Sequence, residues 1–274
     1  MNGIDYEAEY NNRARVPENP ELMAGWARDA AAYREQNAPR RIAYGPEPRH
    51  VIDVFGGDKG EDKAPLAVFI HGGYWQALDG SWFSHMARGL NAHGIGVAIP
   101  TYDLCPQVSV ADIIMQMREA MLELAKISET LVVSGHSAGG HLAACMLATD
   151  WKAYEDSLPP QLVRAAYAIS GLFELEPLVA TSINKALRLD AASARASSPL
   201  FWQPPSHGSL DAVVGEAESA EYHRQSKAIA EAWNEAGIAT SYGSLPAANH
   251  FTAIAPLADP ASAMTLRLKQ LAGR

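Results

Sequence analysis

From Pro65 onward the chain alternates short, continuous apolar runs with longer stretches in which apolar residues recur at helical spacing. The runs LAVFI, GIGVAIPTY, TLVVSG, AAYAISG, LDAVVG and ATSYGSL have the length of strands. Between them, SWFSHMARGLNAHG, SVADIIMQMREAMLELAKIS, SAGGHLAACMLATDW and SAEYHRQSKAIAEAWNEAG read as amphipathic helices. Strands without polar alternation need both faces covered, so this order predicts an α/β fold around a mostly parallel sheet. Ahead of it, RIAYG and RHVIDVFGG, with turn signals between them, predict an antiparallel strand pair and bring the sheet to about eight strands.

Two segments fall outside the alternation. PENPELMAGWARDAAAYREQ opens on Pro and Asn and continues in helix formers, so residues 1–40 read as an N-terminal helical arm and residues 41–274 as the main domain. The stretch from Phe173 to Ser206 fits neither a strand nor one long helix. It is expected to be a small cap at about 173–206.

Composition narrows the partners. With 22 basic and 31 acidic residues the formal charge is −9, which argues against nucleic acid or an anionic membrane surface. No apolar run is long enough for a membrane span, and the start MNGIDYEAEYNNRAR lacks a basic, greasy leader. A cytoplasmic protein is expected, acting on a small molecule, with a homodimer as the oligomer to look for. Cys105 and Cys145 stand far apart among apolar neighbours and read as buried free thiols. No H-E-x-x-H, G-x-G-x-x-G or G-K-[ST] pattern is present, so neither a metal nor a cofactor is expected.

The chemistry concentrates in LVVSGHSAGGH, where an apolar strand runs into Gly135-His136-Ser137-Ala138-Gly139 and then a helix. G-x-S-x-G in a strand–turn–helix context is a nucleophile elbow, which makes Ser137 the candidate nucleophile. A serine needs a base and the base an orienting acid, in the chain order serine, acid, histidine. His250, in SLPAANHFTAIAP after the last strand, is the expected base; His223 lies in a solvent-facing helix and His207 in the cap. The acid should leave the seventh strand in LDAVVGEAESAE. Asp211 sits at the wrong end of that strand, and Glu218, three residues past Gly215, is preferred over Glu216 and Glu221. In LAVFIHGGYW the bare backbones of Gly72 and Gly73 are placed to hold an oxyanion with the N–H of Ala138, while His71 braces the loop.

HGGYW, YDLCPQVS and GHSAGGH, in that order, resemble the α/β-hydrolase fold and, within it, the kynurenine formamidase (arylformamidase) branch, akin to hormone-sensitive-lipase-like esterases. Those esterases show a third glycine where this chain has Tyr74; VVGEAESAEYHRQS and ANHF also look like the formamidase branch, and the likeness spans roughly residues 40–270. It implies Ser137, Glu218 and His250 as a catalytic triad, with Gly72, Gly73 and Ala138 as the oxyanion hole. The family acid is often aspartate, and the glutamate here is one methylene longer. Tyr74, Trp75, Phe201, Trp202 and Phe251 are candidates for an aromatic leaving-group pocket, and Asn184 for contact with a polar tail. The expected function is hydrolysis of a small aryl formamide (N-formylkynurenine-like) or ester through an acyl-enzyme. A general short-chain carboxylesterase and a catalytically silent ligand-binding protein are the alternatives.

Overall fold

Arg40–Ala43 (β1) and Val51–Phe55 (β2) pair antiparallel, as their sequence signals predict. The remaining strands are Leu66–Ile70 (β3), Gly96–Thr101 (β4), Leu131–His136 (β5), Val163–Ile169 (β6), Ser209–Gly215 (β7) and Ala239–Leu245 (β8). All eight lie in one sheet of order β1-β2-β4-β3-β5-β6-β7-β8, parallel from β4 to β8. This computed structural model describes residues 3–57 and 64–274; the first two residues of the expected arm lie outside the described residues.

Every residue of β3, β4 and β5 is buried, because helices cover both faces. Val68 and Ile70 point into one apolar layer with the helices Val110–Ala125 and Ala138–Leu147. Ala67 and Phe69 point into the other, with Leu257, Met264 and Leu268. The strand order reverses around β3, the place where open α/β sheets offer a crevice at their carboxyl ends.

One predicted helix departs from expectation. Residues Gly80–Ala87 wind as a 3₁₀ helix, and only Arg88–Ala92 is α-helical. Gly80 is pinned to β4 by a 3.0 Å bond from its N–H to the Thr101 hydroxyl. The three-residue repeat then stacks Phe83 and Met86, both buried, on one face. Between residues 173 and 206 the chain forms only short pieces, Glu176–Ala180, Asn184–Leu187, Ala191–Ala196 and Pro199–Phe201. Before β1 come the helices Tyr6–Tyr10, Asn12–Arg15 and Asn19–Gln36. The long one is tied to the sheet by Asp53 of β2, which takes Arg34 at 2.6 Å and Arg41 at 2.9 Å. Among the described residues no helix is long and apolar enough to cross a membrane.

The joint between β5, its following helix and β3 leaves no room for side chains. A Cβ on Gly139 would lie 1.9 Å from the Ile70 carbonyl oxygen, and one on Gly135 would lie 2.1 Å from the Gly139 oxygen. Around this joint the core holds imidazoles. His71, His136 and His141 are buried, and so is His85 on the 3₁₀ segment. Burial drives His71, His85 and His141 down to about 4 and His136 well below its ordinary value.

Gly139→Ala is expected to lower the melting temperature by about 5 °C or more, from an overpacking cost of about 2–3 kcal/mol. Gly243→Ala on the edge strand, whose added carbon meets only Val213 at 3.5 Å, should melt within a degree or so of the parent. Equal melting of both variants would contradict the packing described. The histidines set an acid limit. The unfolded chain binds their protons near pH 6.5 and the folded chain only near 4, so their contribution is complete above 6.5 and lost as pH falls toward 4. Melting temperature should already decline between pH 6.5 and 5, above the range where carboxylates titrate, and His85→Gln should flatten that decline.

Candidate active site

The turn after β5 forces Ser137 to φ +57°, a left-handed conformation that costs a non-glycine residue energy. The Ser137 N–H is held by the Ile169 carbonyl at 2.8 Å, and its own carbonyl accepts from His141 N–H, starting the helix. The glycines at 135 and 139 make the sharpness of this turn attainable, because any Cβ there would strike backbone. The serine therefore stands at the carboxyl end of the sheet, beside a helix whose first N–H groups, that of Ala138 among them, have no intrahelical acceptor.

Two loops meet it. The one leaving β7 makes a tight turn in which Glu218 N–H bonds to Gly215 O, and the Glu218 side chain folds back. Its Oε1 accepts from the Gly215 N–H at 2.8 Å and from the Ser170 hydroxyl. Its Oε2 lies 2.6 Å from Nδ1 of His250, on the loop after β8. The carboxylate is buried and its oxygens are engaged, so it fixes the imidazole's orientation and places the Nδ1 proton. His136 closes the back: its Nε2 meets the His250 carbonyl oxygen at 2.8 Å and its ring lies 4.6 Å from the His250 ring.

The rival acids are spoken for. Glu216 accepts from Ala247 N–H at 2.9 Å at the surface. Glu221 pairs with Arg224 and takes the Tyr10 hydroxyl at 2.9 Å. Asp211 pairs with Arg267. Of the other late histidines, His223 bonds to Tyr242 on the exposed side of β8, and His207 sits with Ser206 at the start of β7, the opposite end of the sheet from the serine.

The loop leaving β3 supplies the third side. Gly73 has φ +111°, and a Cβ on it would lie 2.3 Å from the Ala77 carbonyl oxygen. A Cβ on Gly72 would lie 3.1 Å from Ser137 Cβ, so only a glycine lets this backbone come so close to the serine. Tyr74 and Trp75 continue the loop with φ of +49° and +55°. His71 braces it, its Nδ1 2.7 Å from Gly72 O and its ring stacked on Tyr102 at 4.2 Å.

A cavity of about 460 Å³ opens onto Gly72, Gly73, Ser137 and His250. Tyr74 and Phe251 line it. The other three aromatic candidates do not. Trp75 turns into the core against His141, at 5.0 Å and edge-on. Phe201 lies at the surface under Arg195, and Trp202 bonds to the Ala196 carbonyl oxygen and meets Arg118. Asn184 is spent on neighbouring backbone, bonding Val179 O, Leu189 O and Leu189 N–H. From the segment 173–206, Ser182 and Ile183 line the cavity instead.

The arm provides what sequence reasoning missed. Asn12, Arg13, Met23 and Trp26 face the cavity. Trp26 stacks on Phe251 at 5.9 Å and tilts against Phe83 at 5.3 Å, forming an aromatic wall. Met23 and Trp26 stand three apart on one helix, a spacing that puts both on one face and was the available signal.

Residues 67–254 match the family described by the alpha/beta hydrolase fold. The kynurenine formamidase of Danio rerio is 30% identical over 242 residues, covering 85% of this chain and 81% of that protein. The enzyme of the same name from Drosophila melanogaster is 30% identical over 78% of this chain and 74% of its own. Among solved structures, a candidate thioesterase from a Silicibacter species superposes with a TM-score of 0.84 at 34% identity, covering 97% of this chain and all of its own. The chain belongs to the α/β-hydrolase fold family, on the branch that includes the kynurenine formamidases, and is an enzyme that hydrolyses C–N or ester bonds.

Proposed function

We propose that the chain is a serine hydrolase of a small aryl formamide, N-formylkynurenine-like, working through a formyl-enzyme on Ser137. The observation that carries the reading is the buried Glu218–His250 pair, 2.6 Å apart, on the same cavity as a serine held at φ +57°. In the first step Nε2 of His250 takes the Ser137 proton as Oγ bonds to the carbonyl carbon. The N–H groups of Gly72, Gly73 and Ala138 receive the oxyanion, and Glu218 steadies the imidazolium. His250 then gives that proton to the leaving nitrogen as the C–N bond breaks. Water repeats the attack, with His250 as base, and Ser137 leaves with its proton restored.

The cavity suits such a leaving group. Trp26, Phe83 and Phe251 supply flat apolar surface for an aniline ring. Among the described residues Arg13 is the one Lys or Arg on the lining and no Asp or Glu faces the space, which fits an amino-acid tail ending in a carboxylate. The arm as a unit over residues 1–40, with 173–206 as cap, belongs to the same proposal, since both border the cavity. A cytoplasmic location also belongs to it. Turnover of short-chain esters or thioesters is the second reading, favoured by the 34% identical candidate thioesterase.

Specificity constants for N-formylkynurenine, p-nitrophenyl acetate and p-nitrophenyl butyrate decide between the two. The formamide should exceed the esters by at least about tenfold, and a formamide rate near background beside brisk ester turnover would sink the assignment. For the roles, Ser137→Ala should abolish fluorophosphonate labelling and turnover. Glu218→Gln should lower kcat by about 10²- to 10⁴-fold, because it loses the charge that stabilises the imidazolium. Glu216→Gln and Glu221→Gln should each retain kcat within about threefold. Near-normal turnover by Glu218→Gln would remove that residue from the triad.

A further inference from the structure

Beside Ser137 lies a hydroxyl that the mechanism has not used. Tyr222 is fully buried in the first turn of the helix Ala220–Glu235, with its ring 4.8 Å from that of His250. The Ser137 hydroxyl is near enough to favour the phenol's ionised form, although burial, the larger effect, holds the phenol protonated. Two further groups meet the same oxygen: the Asn12 side-chain N–H donates to it at 2.8 Å, and the Tyr74 hydroxyl lies 2.7 Å away.

Counting protons shows where the Tyr222 hydrogen can go. Tyr74 lies 2.7 Å from the Tyr10 carbonyl oxygen, which only accepts, so the Tyr74 proton is committed there. The Asn12 amide occupies an acceptor site on the Tyr222 oxygen. The Tyr222 proton is left to the Tyr74 oxygen, with Ser137 Oγ the other group near enough to interact with the phenol.

We propose that Tyr222 is a further catalytic residue, whose O–H turns from Tyr74 to Ser137 Oγ when that oxygen gains charge, and that Asn12 of the arm is the positioning residue that aims it. Tyr222 keeps its proton throughout and donates only a hydrogen bond. The demand is greatest in deacylation: water adds to the acyl carbon, the carbon–Oγ bond breaks, and Oγ carries negative charge until His250 returns its proton. A donor already in place stabilises that departing oxygen. The arm thereby takes part in chemistry as well as in enclosing the cavity.

The inference rests on Ser137 being the nucleophile, and the test keeps the two apart. Tyr222→Phe removes one oxygen from a site that keeps its ring packing. With p-nitrophenyl acetate, its steady-state kcat should fall about 10- to 100-fold, the worth of a hydrogen bond to a charged group. KM should fall too, and a burst of p-nitrophenol equal to the enzyme concentration should appear, because the acyl-enzyme accumulates. Asn12→Ala should move the same readouts in the same direction, and the double variant should be no worse than Tyr222→Phe alone. A Tyr222→Phe enzyme with kcat within twofold of the parent and no enlarged burst overturns the role of Tyr222. Additive losses in the double variant overturn that of Asn12. If Ser137→Ala still turns over, the reading of the nucleophile falls instead. Should Tyr222→Phe fold poorly, the burst measured on Asn12→Ala decides the matter, its absence counting against the proposal.

Discussion

The site depends on backbone meeting backbone at the carboxyl ends of β3 and β5. Strand, helix and loop converge there at distances that exclude any Cβ at positions 135 and 139. That approach brings the loop of Gly72 and Gly73 alongside Ser137 and makes the left-handed serine turn attainable. The strain at Ser137, Tyr74 and Trp75 persists because the surrounding sheet is buried on both faces and cannot relax around it. The buried imidazoles follow from the same crowding. His71 follows β3 and His136 ends β5. The His71 ring stacks on Tyr102 with its Nδ1 on the Gly72 oxygen, and the His136 ring lies tilted against His250 with its Nε2 on the His250 carbonyl oxygen.

Sequence made much of this visible because the constraints are local. G-x-S-x-G needs a strand before it and a helix after it, and both are legible as apolar patterns. The preference for Glu218 rested on its distance from Gly215, and the structure has that carboxylate folded back onto the Gly215 N–H with His250 on its other oxygen. The aromatic wall was not legible in the same way. Trp75, Phe201 and Trp202 are near the motifs or in the cap by sequence, yet whether a side chain faces a cavity or the core depends on tertiary placement. Trp26 comes from a segment that reads as an N-terminal helical arm, and Phe83 from one that reads as part of the α/β alternation. The 3₁₀ winding at Gly80–Ala87 escaped for a related reason: a three-residue and a four-residue apolar spacing coexist in that stretch, and the bond to Thr101 decides between them.

Kinship at about 30% identity sets the family and the class of bond broken. The residues facing the cavity speak to the substrate. Among the described residues the lining combines an aromatic wall with one guanidinium and no carboxylate, and the proposed aryl formamide substrate is drawn from that chemistry.

The arm carries one more consequence, for how the protein assembles. Tyr10 meets Glu221 and Gln225, and Asn12 meets Tyr222, across sequence separations of 210 to 215 residues. During synthesis the segment that borders the cavity emerges well before its docking surface on the helix Ala220–Glu235. Contacts so distant in sequence close late in folding. The sheet can therefore form before the cavity exists, and the cavity is completed only when Tyr10 and Asn12 meet the helix Ala220–Glu235.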